Sequence, residues 1–243
     1  MIEFDSPSAI QTDITGAVPE ITQHQTEVIR SSSEISMTST ERLWALLKAV
    51  EYLEENKICG DIVECGVWRG GSSFLVASEL AHRNSLNRGI WMFDTFQGMN
   101  SPSEHDARFD LKPARQILEE DLDSQATSHN WGVASLEMAR SNLLRSGYPE
   151  HKMHFVQGEV EVTLRAQAPQ KIALARLDTD WYESTKTELD VLMPRMVRGG
   201  VVIVDDYGHW LGARKAVDEF LDSTNPLPLV NRIDYTGRMW VVP

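Results

Sequence analysis

Four short apolar runs, each with an acidic residue at or beside its C-terminal end, constrain this chain more than any other feature. They are Asp61-Ile62-Val63-Glu64-Cys65, Ile90-Trp91-Met92-Phe93-Asp94, Ile172-Ala173-Leu174-Ala175-Arg176-Leu177-Asp178 and Val201-Val202-Ile203-Val204-Asp205. Short apolar runs rich in branched side chains are how parallel strands buried on both faces look. Helical patterns lie between them. Leu43, Leu46, Leu47, Val50 and Leu53 recur at helical spacing behind an N-cap at Thr38 or Ser39. Ser72 to Ala81, residues 134–146, Glu183 to Met196 and Gly212 to Leu221 read as further helices. Lys152 to Val156 adds another strand. Leu227 to Arg232 and Arg238 to Val242 flank Asp234-Tyr235-Thr236-Gly237, a connection so short that it makes an antiparallel hairpin. The expected architecture is α/β and Rossmann-like: a mostly parallel sheet of seven strands, helices on both faces and a terminal antiparallel hairpin.

In such a sheet, ligands bind outside the carboxyl ends of the strands. Glu64, Asp94, Asp178 and Asp205 converge on that edge. Glu64 to Gly71 is a Gly-rich turn from strand to helix, matching neither GxGxxG nor GxxxxGK[ST]. Together with Asp94, placed to accept hydrogen bonds from ribose hydroxyls, it suggests an adenosine-bearing ligand without a pyrophosphate grip. The absent GxGxxG and the terminal hairpin speak against a nicotinamide oxidoreductase. Asp178 and Asp205 lie 27 positions apart (205 − 178), one strand–helix–strand crossover, so their strand ends can be neighbours. Asp180 and Asp206 add to the crowding. Clustered carboxylates repel unless a cation joins them, and an oxygen-ligated ion such as Mg²⁺ answers that cost.

Two regions lie outside this pattern. Residues 1–37 are polar and broken by Pro7, Gly16 and Pro19. The expectation is an N-terminal arm, loosely structured over 1–20 with a short helix over 20–31, before a domain spanning 38–243. Between Thr95 and Ser135 the periodicity fades, apart from a short helix over 113–122. An insertion of that length reads as a lid or binding loop, centred on residues 99–133.

Charge narrows the function. Lys and Arg total 23 against 36 Asp and Glu, a formal net charge of −13. A surface this acidic repels phosphate backbones and anionic membranes, and no basic run compensates. No stretch of 18 apolar residues exists to span a membrane. The N-terminus MIEFDSPSAI lacks the pattern of a secretory signal. Two cysteines, Cys59 and Cys65, make no disulfide framework and fit a reducing, cytoplasmic setting.

The motifs together resemble the macrocin O-methyltransferase family. They are Glu64 to Gly71, Asp94-Thr95-Phe96-Gln97-Gly98, Leu177-Asp178-Thr179-Asp180 with Tyr182-Glu183-Ser184-Thr185, and Val204-Asp205-Asp206-Tyr207-Gly208, in order between about residues 38 and 224. The resemblance implies a class I methyltransferase fold and an enzyme that uses S-adenosylmethionine and Mg²⁺ to methylate a hydroxyl of a small natural product, or its sugar, in an antibiotic pathway. It implies Glu64, Gly66 and Ser72 at the methionine end of the cofactor and Asp94 at the ribose. It also implies Asp178, Asp205 and Asp206 as metal ligands, and a homodimer or higher homo-oligomer. A His precedes the helix near Ser135 in the family. His129 is the nearest match as general base, with His105 and His209 as rivals, and Asp178 shares the catalytic role through the metal. Trp68, Phe109, Trp131 and Trp210 are available to pack an acceptor. The alternative reading is a non-catalytic nucleoside-binding protein of the same fold, a structural partner in a biosynthetic complex.

Overall fold

The computed structural model describes Val18 and residues 20–243. The arm expected over residues 1–20 therefore lies almost wholly outside the described residues. The chain opens with helices α1 (Gln23–Ser33) and α2 (Thr40–Glu55). Then follow β1 (Asp61–Cys65), α3 (Gly71–His82), β2 (Ile90–Asp94), α4 (Ala114–Glu120), α5 (Leu136–Leu144), β3 (Met153–Gln157) and α6 (Val160–Gln167). The C-terminal part holds β4 (Ile172–Leu177), α7 (Tyr182–Leu192), β5 (Met196–Val204), α8 (Leu211–Asp222), β6 (Asn231–Arg232) and β7 (Arg238–Val241). One seven-stranded sheet has the order β3-β2-β1-β4-β5-β7-β6. The first five strands are parallel, and β7 runs antiparallel to both its neighbours.

Side-chain alternation explains why both faces are covered. Ile62, Ile90, Met92, Leu174 and Ile203 pack with α1, α2, α3 and α5, whereas Val63, Cys65, Phe93, Ala175 and Val204 pack with α6, α7 and α8. Helix α1 is capped by a Thr22–Gln25 capping box and buries Val28, Ile29 and Ser32 against the body. The adjacent strands β1 and β4 lead into helices on opposite faces, α3 on one and α7 on the other. That reversal opens a crevice at their C-terminal ends. Among the described residues, no helix is long and apolar enough to cross a membrane.

Three local expectations need correction. The helix expected over Glu183 to Met196 stops at Leu192, and β5 begins at Met196, so Gly199 and Gly200 lie inside a strand. Gly199 sits at φ +80° and donates to Val242 where the β4–β5 register shifts, so the glycine pair serves a strand irregularity. The strand expected from Leu227 shrinks to Asn231–Arg232, because Pro226 and Pro228 bring no N–H to a ladder. Helix α6, absent from the sequence reading, is only eight residues long and buries just Val160, Thr163 and Leu164.

The insertion after β2 has a small core of its own. Ala114, Ile117 and Leu118 of α4 pack with Trp181, Trp210 and Ala213, and Trp131 joins from the far side. Bridges from Ala107 to Pro113 and from Arg108 to Trp210 tie it to the start of α8. Its anchor is Asp106, 2% exposed. Asp106 accepts from the Ser103 amide (2.6 Å) and hydroxyl (2.7 Å) and from the Tyr182 amide at the start of α7 (2.8 Å). Asp106→Ala strands these donors, and leaving a buried donor unpaired costs about 1–3 kcal/mol. The expected outcome is faster amide hydrogen exchange across residues 103–118 with α2 and α3 unaffected. Unchanged exchange in that segment would show that Asp106 does not anchor it.

Candidate active site

A cleft of about 270 Å³ lies at the C-terminal ends of β1, β2, β4 and β5. Glu64, Gly66, Ser72, Asp94, His129, Asp178, Asp205 and Asp206 all line it. The floor is knitted by backbone. Gly66 donates to Phe93, Asp178 to Cys65 and Asp205 to Leu177, each at 2.9 Å. Gly66 adopts φ +80°, and a Cβ there would lie 1.9 Å from the Asp178 carbonyl oxygen. No other residue fits, so this glycine is what lets the ends of β1 and β4 meet.

The Gly-rich turn is held from β2. Asp94 Oδ2 accepts from the amides of Val67 (2.6 Å) and Trp68 (2.9 Å), and Oδ1 accepts from Phe96 (2.6 Å). Burial pushes the Asp94 carboxyl up, and these three amides pull it back. The residue read as a ribose ligand is thus first the clamp of the loop it faces.

The acidic cluster is organised by two arginines. Asp178, Asp205 and Asp206 each offer an oxygen within 4.8 Å of the others. Arg176, directly opposite Glu64 in the β1–β4 register, bonds Glu64 Oε1 at 2.9 Å, Asp178 Oδ2 at 2.6 Å and Asp205 Oδ1 at 2.6 Å. Burial opposes the charge on Arg176, but Asp178 and Glu64 outweigh it and raise its pKa. Arg42 of α2 ion-pairs with Asp205 Oδ2 and reaches Asp234 Oδ2 at 3.0 Å. Burial pushes Glu64 up to about 7 against the pull of Arg176 and of Ser73, whose hydroxyl donates to it. Asp206 is 9% exposed, and its Oδ2 is buried without a hydrogen-bond partner. Burial raises both Asp206 and its neighbour Asp180, and each feels the repulsion of Asp178. An orphaned carboxylate oxygen and two further carboxylates nearby are residues that could hold a hard divalent cation.

The three histidines separate. His129 lines the cleft, with its ring 6.3 Å from Trp68 edge-on. His209 also lines it, accepts or donates at Nδ1 to the Tyr235 hydroxyl at 2.9 Å, and is pushed down to about 4 by burial and by Arg108 and Arg42. His105 is not among the lining residues. It lies 3.2 Å from Lys215 Nζ and packs edge-on to Tyr182. Trp68, Trp181 and Trp210 form aromatic wall, the last two 4.9 Å apart and T-shaped. Trp131 instead donates to the Leu118 carbonyl within the insertion, and Phe109 packs against His209. Neither lines the cleft.

Several lining residues escaped the sequence reading: Arg176, Arg42, Trp181, Tyr235 and the connection Ser36-Met37-Thr38. A signal existed for Arg176, the one charge within an otherwise apolar β4. None existed for Arg42, whose partners Asp205 and Asp234 are more than 160 residues away.

Residues 18–241 match the family of macrocin O-methyltransferase (TylF). The chain is 33% identical over 206 residues to the 8-demethyl-8-(2,3-dimethoxy-alpha-L-rhamnosyl)-tetracenomycin-C 4'-O-methyltransferase of Streptomyces olivaceus, covering 84% of this chain and 74% of that protein. It is 31% identical over 205 residues to the demethyldecarbamoylnovobiocin O-methyltransferase of Streptomyces niveus, with the same coverage of 84% and 74%. The solved structure of the O-methyltransferase NovP superposes with a TM-score of 0.74 at 30% identity, over 86% of this chain and 82% of that one.

Asp94→Asn tests the loop clamp. Asparagine keeps one acceptor oxygen, so its amide nitrogen faces either the Phe96 amide or the Val67 and Trp68 pair and cannot accept there. A hydrogen bond to a charged group contributes about 1.5–3 kcal/mol. Urea unfolding should show a loss of that order. An unchanged midpoint would mean that the Gly-rich turn stands without Asp94.

Proposed function

This chain belongs to the macrocin O-methyltransferase family, as an S-adenosylmethionine-dependent O-methyltransferase of small natural products, and within that activity we propose a Mg²⁺-dependent transfer to a sugar hydroxyl of a glycosylated natural product. The observation that carries the metal part is that Asp206, whose Oδ2 is buried without a hydrogen-bond partner, offers a carboxylate oxygen within 4.8 Å of oxygens of Asp178 and Asp205. The sugar part is supported by a relative whose name specifies a rhamnosyl substrate, the tetracenomycin-C 4'-O-methyltransferase, and the natural-product part also by a mycinamicin III 3''-O-methyltransferase from Micromonospora griseorubida. Membership of a family of methyltransferases leaves the reading as a non-catalytic binding protein without support.

Each side chain has a task in this reading. Glu64 and Gly66 hold the methionine end of the cofactor, beside the N-terminus of α3 and Ser72. Asp94 Oδ1 takes the Phe96 amide at 2.6 Å and the Thr95 hydroxyl only at 3.5 Å, and that oxygen takes a ribose hydroxyl. Asp178, Asp205 and Asp206 would hold Mg²⁺, which would supply positive charge that acidifies the acceptor hydroxyl. His129 takes the proton of that hydroxyl from the insertion side. Trp68, Trp181 and Trp210 pack the acceptor's rings and exclude water. In a displacement between a sulfonium and an oxygen nucleophile, alignment and desolvation dominate over any oxyanion hole. Residues 99–133 act as the acceptor-side lid. The homo-oligomer remains part of this proposal.

The test is methyl transfer from labelled S-adenosylmethionine to a panel of glycosylated natural products, with and without Mg²⁺. Chelation should abolish turnover and added Mg²⁺ should restore it. Asp206→Asn keeps the size of a side chain that no guanidinium engages and should lower the rate by about tenfold or more. His129→Ala should lower it by about a hundredfold. Full activity under chelation would refute the metal role. Methylation of aglycones in preference to glycosides would refute the sugar acceptor.

A further inference from the structure

Arg176 is a charge in the middle of a parallel sheet, with its side chain only 3% exposed. Its backbone is fixed on both sides, by β1 at Glu64 and by β5 at Ile203. The guanidinium reaches out of that rigid strand and takes four partners. Nη1 donates to Glu64 Oε1 (2.9 Å) and to Asp178 Oδ2 (2.6 Å). Nη2 donates to Asp205 Oδ1 (2.6 Å) and to Thr38 Oγ1 (2.7 Å). We propose that Arg176 is the positioning residue that sets the cofactor end and the metal end of the cleft in one geometry through this single guanidinium.

The proposal rests on the metal and cofactor assignments made above and adds the element that joins them. Glu64 belongs to the methionine end, and Asp178 and Asp205 belong to the metal end. All three orient against the same planar group. The guanidinium occupies one oxygen of each carboxylate, which fixes the direction of the other. Glu64 Oε2 then meets the Ser73 hydroxyl, and Asp205 Oδ2 meets Arg42. Asp178 Oδ1 has no such partner among the described hydrogen bonds of the cluster and is open to a ligand, whereas Asp205, with one arginine on each oxygen, would reach one through a remaining lone pair. A lysine cannot replace this function. Its ammonium is a point charge, whereas the guanidinium presents donors in a rigid fork that spans three carboxylates. Thr38 brings the α1–α2 connection into the same arrangement, so the N-terminal segment that lines the cleft is set by it as well.

The experiment uses the full chain and two ligands measured separately: Mn²⁺ by electron paramagnetic resonance of the free and bound ion, and S-adenosylhomocysteine by calorimetry. Loss of a residue that orients metal ligands costs about 10- to 100-fold in metal affinity. Arg176→Lys should show that loss for Mn²⁺ and a loss of about fivefold or more for S-adenosylhomocysteine, the lower end of typical coupling between sites. Its far-UV circular dichroism should match the wild type. Glu64→Gln, which leaves Arg176 in place, is read whether or not Arg176→Lys folds. It should weaken Mn²⁺ by about threefold or more although Glu64 is no metal ligand, because it shares a hydrogen-bond network with two of them. Wild-type Mn²⁺ affinity in Glu64→Gln, or wild-type affinities for both ligands in a folded Arg176→Lys, overturns the proposal. Failure of the wild type itself to bind Mn²⁺ overturns the metal assignment instead, and with it the joining role given to Arg176.

Discussion

A guanidinium enclosed in a parallel sheet has no water to turn to, and the arrangement of this cleft follows from that. The desolvation of Arg176 is compensated by acceptors close enough to donate to, and the fold supplies the Thr38 hydroxyl and three carboxylates. They come from different places in the chain: Glu64 from β1, Asp178 from the end of β4 and Asp205 from the end of β5. Removing any one would leave buried charge imperfectly paired. The same constraint turns a row of strand ends, which could serve many chemistries, into a defined set of oxygen atoms.

Backbone geometry makes that pairing attainable. Gly66 allows β1 to approach the Asp178 carbonyl more closely than any side chain would permit. Asp94 then folds the turn that follows Gly66 back over the site through the Val67 and Trp68 amides. Arg42 closes the arrangement from the other side by joining Asp205 to Asp234 in the β6–β7 turn. Residues from the N-terminal helices, the sheet and the terminal hairpin thus share one network of charge. The insertion adds wall to the cleft through Gly98, Met99, Asn100 and His129, and Asp106 fastens it to the start of α7.

Much of the fold was legible because strand burial and helix periodicity are local. The parallel strands show as apolar runs, and the acids at their ends mark the functional edge. What escaped is non-local or brief. Helix α6 is too short to display a period, and the glycines at 199 and 200 stop a helix in one context and bend a strand in another. The eight residues assigned from the sequence to cofactor, metal and base line the cleft, whereas the rival His105 and the candidate acceptor residues Phe109 and Trp131 do not, and the engagements of the eight were not readable. Asp94 holds amides, and Asp205 is gripped by two arginines, one of them 163 positions away (205 − 42). A histidine's place could not be read from spacing either. His105 and His129 both belong to the insertion, and of the two only His129 lines the cleft, while His105 meets Lys215 and Tyr182.

The most direct measurement of the central claim is anomalous diffraction from crystals grown with Mn²⁺ and S-adenosylhomocysteine. The account predicts one manganese peak bound by oxygens of Asp178, Asp205 and Asp206, with the Arg176 guanidinium still bridging Glu64 and Asp178. A peak at another site, or an Arg176 side chain released from Glu64 with the metal in place, would contradict it.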